Sequence, residues 1–288
     1  MYQIVRKESL SADVKLFEVA APRIAKKAQP GQFVIVRVDE EGERIPLTIA
    51  DFNREAGTIV LIFQEVGAST RLMGQLEQGQ SLHDLVGPLG QKTHIEKLGT
   101  VICVGGGIGV APVYPIARGM KEAGNEVISI IGARNKDLLI YEKEMAAVSD
   151  ELVVTTDDGS YGEAGRVTGP LQRLLESDKK IDLVMAIGPV IMMKSVAETT
   201  RSFGVPTVVS LNPVMVDGTG MCGGCRVSLG DEVKFACVDG PEFDAHKVDF
   251  DALMSRQRMY KSQEARHTEH SCGGHGHHEG GQCQCHSR

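Results

Sequence analysis

The sequence of 288 residues has no tryptophan, only 5% aromatic residues and no run of basic residues. Its 31 Lys and Arg residues are outnumbered by 38 Asp and Glu residues, which gives a net charge of −7. Such a chain lacks the basic footprint of a nucleic-acid-binding protein. It also lacks the positive charge that draws proteins to anionic membranes. We therefore expect neither nucleic acid nor membrane among its partners.

Long apolar segments are also missing. The first residues, MYQIVRKESL, are charged, and the uncharged stretch 98–117 is interrupted by glycines and by Pro112 and Pro115. A secretory signal or a spanning helix needs a continuous apolar core. We therefore expect a cytoplasmic protein. In that reducing compartment, clustered cysteines serve as metal ligands more often than as disulfides.

Hydrophobic periodicity divides the chain. Residues 1–97 contain short alternating apolar runs at 14–19, 33–38 and 58–63, separated by turn residues, which predicts a small antiparallel barrel or sandwich. Residues 98–212 alternate apolar strands with helical stretches, which predicts an α/β domain with a parallel sheet.

The end of the chain has a different composition. Six of the seven cysteines follow residue 220, and three of these lie in a Gly-rich loop within 213–248. Residues 249–262 are predicted to form a helix. The tail, 263–288, contains six His, three Cys and five Gly, and such a composition cannot form a packed core. The tail is either a flexible extension or a separate binding module for zinc, nickel or copper.

A glycine-rich loop follows the predicted strand 100–104 and precedes a helix. Glycines let the backbone approach a pyrophosphate, and the helix start supplies free N–H groups and a favourable dipole. The alternative is a simple tight turn, since the spacing is not a regular G-x-G-x-x-G. The candidate nucleotide-binding residues here are Gly105, Gly106, Gly107 and Gly109.

Two later loops lie where neighbouring strands of the same sheet should end. One contains Asp157 and Asp158 and the other contains Gly188. A carboxylate can accept from a ribose 2′-OH and repels a 2′-phosphate, so the Asp pair favours NAD(H) over NADP(H). Arg134 and Lys136 are the opposing signal, because they could pair with a phosphate. A solvated turn capped by Asp side chains is the other explanation of the pair.

The Gly-rich loop near residue 220 has the spacing of a redox-metal site. Cys222 and Cys225 flank two glycines, Cys237 follows, and Asp217 precedes Cys222 by four intervening residues. A cysteine in place of Asp217 would complete the Cys-x4-Cys-x2-Cys…Cys spacing of [2Fe–2S] sites. These four residues are the candidate metal ligands. A structural zinc site with three Cys and one Asp, or inert thiols, are the alternatives.

Two segments of the first domain complete a family resemblance. The strand Arg44-Ile45-Pro46-Leu47-Thr48 and the helix start Gly67-Ala68-Ser69-Thr70, together with the glycine loop, resemble the ferredoxin-reductase family. In that family a flavin-binding barrel precedes a nucleotide domain. The resemblance implies FAD, with Pro46, Leu47 and Thr48 facing its isoalloxazine and Gly67, Ser69 and Thr70 holding its pyrophosphate. Ile45 occupies the usual arginine position, so Arg44 is the candidate for the arginine contact.

The cysteine loop narrows the resemblance. A flavin barrel, a nucleotide domain and a C-terminal cysteine loop resemble the electron-transfer subunit of dihydroorotate dehydrogenase B, a family with four cysteines. The aspartate at position 217 resembles instead the small subunit of NADH-dependent reduced ferredoxin:NADP oxidoreductase, also called a sulfide dehydrogenase subunit. The resemblance covers residues 1–262.

That resemblance implies an electron-transfer function. Electrons would pass between NAD(H), FAD and a [2Fe–2S] cluster, and then to a larger flavoprotein subunit with its own FAD and [4Fe–4S] clusters. Ferredoxin and NADP would react through that partner, by electron bifurcation. The cysteine count of this chain leaves the [4Fe–4S] clusters to the partner. The alternative function is the electron-transfer subunit of dihydroorotate dehydrogenase B in pyrimidine biosynthesis.

Overall fold

A computed structural model describes residues 2–259, which build two seven-stranded sheets and a two-stranded hairpin. The predictions made for the tail 263–288 lie outside the described residues. None of the helices within 2–259 has the length and apolar character needed to cross a membrane.

The first sheet is an antiparallel barrel. Its strands β1 to β7 are Tyr2–Ser9, Val14–Ala20, Phe33–Arg37, Arg44–Asn53, Thr58–Gln64, Ser81–Leu82 and Asp84–Leu89. Their order is β6-β1-β2-β5-β4-β3-β7, and every pair is antiparallel. The two outer strands, β6 and β7, are separated along the chain only by His83, so the edges of the sheet meet. The antiparallel barrel predicted for this part of the chain is confirmed.

Alternating side chains fill the barrel. Phe17 and Phe63 are fully buried and pack edge to face with ring centroids 5.0 Å apart. Ile49, Ile59 and Leu61 surround them at 1% exposure or less. Two short helices lie between strands, α1 at Pro22–Ala25 and α2 at Ala68–Gly74. The apolar side chains that predicted strands in the sequence are therefore the ones that stabilise the barrel.

The second sheet carries the α/β part. Its strands β8 to β13 are Thr100–Gly106, Glu126–Ala133, Glu151–Thr156, Glu163–Ala164, Leu183–Ile187 and Thr207–Ser210. Helices α3 to α6 are Val110–Glu122, Glu142–Val148, Thr168–Glu176 and Val190–Arg201. The strands run parallel in the order β11-β10-β9-β8-β12-β13. The predicted parallel sheet is thus confirmed, with one addition at its edge.

That addition is a strand inside the region predicted as a cysteine loop. The C-terminal segment contains β14 to β16, Arg226–Leu229, Glu232–Phe235 and Glu242–Asp244, and helix α7, Phe250–Gln257. Strand β16 pairs antiparallel with β13. With three residues and one buried apolar side chain, Phe243, it is too short to show an alternating pattern in the sequence.

Helix α7 begins where the sequence predicts it. The Asp249 carboxylate accepts a hydrogen bond from the Ala252 N–H at 2.9 Å, which caps the helix. Phe250 and Leu253 are buried against the α/β core. The helix ends at Gln257, five residues before the predicted limit, and residues 260–262 lie outside the described part.

The barrel lies against one face of the second sheet. Val14 and Ile62 of the barrel belong to the same buried cluster as Val101 and Cys103 of β8 and the apolar face of α3. Burial, with the nearby Glu242 carboxylate, raises the pKa of the Cys103 thiol to about 12. Cys103 is therefore a packing residue, as its strand context predicts.

Candidate functional site

A cleft of about 870 Å³ lies between the barrel and the carboxyl ends of the parallel strands. The strand order reverses between β8 and β12, and Gly106 and Gly188 line the cleft on either side of that point. Open α/β sheets bind their ligands at such a switch point. Nine of the residues predicted to bind cofactor line this cleft: Pro46, Leu47, Thr48, Thr70, Gly106, Gly107, Gly109, Asp157 and Gly188.

The glycine loop is crowded at Gly109 and open at Gly107. A Cβ added at Gly109 would lie 2.2 Å from the Ile187 carbonyl oxygen, so helix α3 begins in close contact with β12. Gly107 has φ +54 and nothing within 4 Å of its Cβ position, so it is open toward the cleft. The α3 N-terminus has no side-chain cap. The uncapped N–H groups at the start of α3 can bind a pyrophosphate.

Gly105 differs from the other three glycines. It does not line the cleft, and a Cβ there would lie 2.9 Å from the Val110 Cα. Its small size allows the strand and the helix to pack closely. The structure therefore gives Gly105 a packing role, and cofactor contact at this position stays a prediction.

On the barrel side, β4 presents Pro46, Leu47 and Thr48 to the cleft. Thr48 pairs with Phe33 across β3, and Phe33 also lines the cleft. These half-buried side chains offer an apolar wall with one hydroxyl. That composition fits the flat ring system expected here.

The predicted pyrophosphate contacts on the barrel are only partly in the cleft. The Thr70 hydroxyl accepts from the Gly67 N–H at 3.0 Å and donates to the Gly67 carbonyl, which organises the start of α2. The Ser69 hydroxyl donates to the Glu43 carboxylate at 3.2 Å. Arg44 is exposed. Gly67, Ser69 and Arg44 do not line the cleft, so their phosphate contacts stay predictions.

The two adjacent aspartates take different positions. Asp157 lines the cleft, as do Arg134 and Arg166. Asp158 instead accepts from the Ser160 N–H at 2.9 Å, and the Ser160 side chain first, and then this N–H, hold its pKa below the ordinary value. Asp158 is the turn-capping residue that the sequence left as an alternative. The ribose prediction therefore depends on Asp157.

Met192 is among the cleft residues that the sequence did not predict. It lines the cleft, and a Cβ at Gly106 would lie 2.2 Å from its sulfur. In the sequence the Met192-Met193 pair indicates core filling. Met193 is fully buried, and Met192 packs partly buried against the same core while it also lines the cleft. The first turn of α6 brings Met192 over the glycine loop, and no sequence motif marks that contact.

The four predicted metal ligands come together in two pairs. The Cys222 thiol lies 3.0 Å from an Asp217 carboxylate oxygen. The Cys225 and Cys237 sulfurs lie 3.2 Å apart, much longer than a disulfide bond. Cys222 is exposed, whereas Cys225 and Cys237 are buried. The four candidate ligands thus form an outer pair, Asp217 and Cys222, and an inner pair, Cys225 and Cys237.

The loop holds Asp217 firmly. Its carboxylate also accepts from the Thr219 hydroxyl at 2.7 Å and from the Met221 N–H at 3.0 Å. These donors, with the Cys222 thiol first, hold its pKa well below the usual range. Burial, and then the Cys225 thiol, raises the pKa of Cys237 to about 12. In the absence of metal the loop therefore combines a charged carboxylate with a neutral inner thiol.

The pairing is compatible with a two-iron cluster. A [2Fe–2S] cluster takes four ligands in total, shared between its two irons, and the four candidate ligands form two close pairs. Their role as ligands stays a prediction.

The cysteine loop packs directly against the barrel. A Cβ at Gly218, where φ is +74, would lie 2.7 Å from Ile35 of β3 and 2.8 Å from Leu89 of β7. Gln91, just after the barrel, donates to the Val238 carbonyl at 2.8 Å. Strand β3 thus borders both regions, with Phe33 in the wall of the cleft and Ile35 against the cysteine loop.

Two family models match the chain. One, described as the iron-sulfur cluster binding domain of dihydroorotate dehydrogenase B, matches residues 212–249. The other, described as the oxidoreductase NAD-binding domain, matches residues 103–198. The first spans all four candidate metal ligands, and the second begins within β8 and includes the glycine loop.

Similar whole proteins are also known. A Clostridium beijerinckii protein, described as an uncharacterized protein in the adh 3′ region, is 50% identical over 99% of both chains. A Thermotoga maritima homolog of the dihydroorotate dehydrogenase B electron transfer subunit is 48% identical over 91% of this chain and 92% of its own. A chain from the structure of an NADH-dependent reduced ferredoxin-NADP oxidoreductase is 46% identical, with a TM-score of 0.90 over 95% of this chain and 98% of its own.

Proposed function

Because the chain belongs to the family of dihydroorotate dehydrogenase B electron-transfer subunits and their homologues, we propose that it passes electrons between NAD(H) and a larger flavoprotein partner. The route uses FAD and a [2Fe–2S] cluster in this chain. The overall reaction is of the ferredoxin:NADP oxidoreductase type, in which the partner carries out electron bifurcation with its own FAD and [4Fe–4S] clusters, in the cytoplasm.

One observation carries the proposal: strand β3 borders both the nucleotide cleft, through Phe33, and the loop of the four candidate ligands, through the contact of Ile35 with Gly218. FAD can take a two-electron hydride and release single electrons, which an iron–sulfur cluster accepts one at a time. The apolar wall of Pro46 and Leu47 excludes water from the cleft, and Thr48 supplies a hydroxyl for orientation. The α3 N-terminus binds the dinucleotide phosphates, and Asp157 receives the ribose.

The cysteine loop supplies the part of the route that holds the [2Fe–2S] cluster. Cys225 and Cys237 are buried in the same core cluster as Phe33 and Ile35 of the barrel, and Asp217 and Cys222 form the outer pair. Electrons therefore enter the cluster from the barrel side and leave on the side of Cys222. The coarser assignment, an electron-transfer subunit of a larger enzyme, agrees with the family. Ferredoxin and NADP as the final reactants are the finer part of the proposal.

The test uses the full chain purified without oxygen. We expect bound FAD, iron and acid-labile sulfide in the ratio of a [2Fe–2S] cluster, and bleaching of the flavin by NADH. A Cys237→Ser variant should lose the cluster signal in electron paramagnetic resonance (EPR) and keep FAD. Cys103→Ala is the matched control, since Cys103 is a buried thiol outside the loop, and it should keep both. A chain that binds zinc in place of iron, or that NADH cannot reduce, contradicts the proposal.

A second candidate function has a specific observation in its favour. The family model matching residues 212–249 is described from dihydroorotate dehydrogenase B, and a Geobacillus thermodenitrificans electron transfer subunit of that enzyme is 36% identical over 78% of this chain. The 46% identity to the ferredoxin-NADP oxidoreductase chain favours the first candidate. Isolating the chain with its native partner decides between them: the complex should oxidise reduced ferredoxin with NADP and should not oxidise dihydroorotate.

A further inference from the structure

An ion pair joins the flavin side of the cleft to the nucleotide side. Arg118 of α3 donates two hydrogen bonds to the Asp51 carboxylate of β4, at 2.6 Å and 3.1 Å. Both side chains are 28% exposed. A two-point contact between guanidinium and carboxylate fixes orientation as well as distance. The pair therefore links two elements that each carry part of the site.

A bulge in β4 directs Asp51 toward α3. Ile49 and Asp51 pair with consecutive residues of β5, Leu61 and Val60, so β4 contains one extra residue, Ala50. Ile49 points into the barrel core, and Ala50 packs in the cluster shared with α3. Regular alternation would return Asp51 to the barrel interior. The bulge places it instead on the outer face, where Arg118 lies.

Arg118 is held from its own side too. Its guanidinium lies 5.2 Å from the centre of the Tyr114 ring, one turn earlier on α3. Tyr114 packs edge to face on Tyr141 at 5.4 Å. Burial alone would lower the pKa of Arg118, but the Asp51 hydrogen bonds outweigh it and raise the pKa. The Arg118 guanidinium is therefore preorganised toward Asp51.

We propose that Asp51 and Arg118 are positioning residues, which set the angle between the nucleotide-binding helix α3 and the flavin-binding strand β4. The inference rests on the proposed function. Asp51 lies three residues after Thr48, and Arg118 lies nine residues after Gly109. Nine helical residues span about 13 Å, so a helix tilt of about 5° moves the loop by about 1 Å.

Such a displacement has a measurable effect on hydride transfer. The donor carbon and acceptor nitrogen must approach closely, and a misplacement of about 1 Å can slow a reaction about 100-fold. Asp51→Asn keeps the size of the side chain and removes its charge. We expect it to lower the rate constant of flavin reduction by NADH about 10- to 100-fold in stopped flow, with FAD content and the KM for NADH little changed.

The matched control lies one turn further along α3. Lys121 pairs with Asp150, which belongs to the same α/β part. Lys121→Gln removes an ion pair of similar exposure that does not reach the barrel, and flavin reduction should keep the wild-type rate. The exchanged variant D51R/R118D restores opposite charges and should recover part of the rate that D51N loses.

A second readout does not depend on bound cofactors. In amide hydrogen exchange of the cofactor-free chain, D51N should raise exchange in 110–122 and 44–53, and K121Q should leave 44–53 unchanged. Wild-type reduction rates in D51N, or slowing that K121Q reproduces, would overturn the inference while leaving the proposed function intact. If D51N does not fold, Arg118→Lys replaces it; loss of folding in both makes the pair a fold determinant and overturns the positioning role. A wild-type chain that NADH cannot reduce refutes the proposed function itself.

Discussion

Glu242 offers a quantitative test of how the barrel and the second sheet fit together. Its carboxyl lies on β16, mostly buried against the barrel, and accepts a 2.5 Å hydrogen bond from the Thr93 hydroxyl. A Cβ at Gly31 would lie 2.7 Å from the same carboxylate oxygen. Burial raises the pKa of Glu242 from 4.5 to about 7, although the Thr93 hydroxyl lowers it in part.

The size of the effect follows from linkage between protonation and folding. The folded state binds the proton more tightly than the unfolded state, so the stabilising contribution of protonated Glu242 is complete below pH 4.5. It is lost as the pH rises to about 7. At about 1.4 kcal/mol per pKa unit, this shift corresponds to about 3 kcal/mol of unfolding free energy. Glu242→Gln keeps the shape and abolishes the titration.

The assay compares melting temperatures of the wild-type chain and Glu242→Gln between pH 4.5 and pH 8, so that other titrating groups cancel. Relative to the variant, the wild type should become less stable with rising pH, by about 6–12 °C over the whole range. Thr93→Val removes the hydroxyl that favours the carboxylate, and should move the midpoint of this loss to higher pH. Melting curves of wild type and Glu242→Gln that stay parallel at all pH values would refute the reasoning.

Three further outcomes are expected. Asp217→Cys should keep a [2Fe–2S] cluster with a changed EPR spectrum, and an unchanged spectrum removes Asp217 as a ligand. Gly109→Ala should abolish reduction by NADH and retain FAD, because the added Cβ meets the Ile187 carbonyl at 2.2 Å; normal NADH kinetics would contradict this close contact. Asp157→Ser should raise kcat/KM for NADPH relative to NADH, about 10-fold or more, because the cleft then keeps Arg134 and Arg166 for a 2′-phosphate and loses the opposing Asp157 charge. An unchanged ratio places the specificity elsewhere.

Elements with a strong internal period were predictable from the sequence. Strands such as β5 and β8 carry long apolar patterns whose side chains are the core of the folded chain. Strand β16 escaped prediction because its pairing with β13 is set by the fold and not by its own three residues. The bulge at Ala50 has no local signal for the same reason, since a register shift is a property of two strands.

At the candidate site, too, features that depend on the fold could not be predicted from the sequence. The glycine loop was predictable because its backbone chemistry is local. Asp157 and Asp158 are adjacent and chemically identical, yet one lines the cleft and the other caps a turn through Ser160. Met192 covers Gly106 only because α6 begins beside β8 in space. Sequence motifs thus identified the segments of the site but not the direction of each side chain.

Asp217 caps the loop and is also a candidate metal ligand, and the two roles use the same carboxylate oxygens. One carboxylate oxygen accepts from Thr219 and Met221, and the other faces the Cys222 thiol. Both oxygens thus accept from protein donors, as they would if Asp217 only capped the loop. The proposed ligand role requires the oxygen that faces Cys222 to exchange that thiol for iron, while Thr219 and Met221 keep the other oxygen in place. The EPR comparison with Asp217→Cys separates the two roles, because an unchanged spectrum leaves Asp217 with the capping role alone.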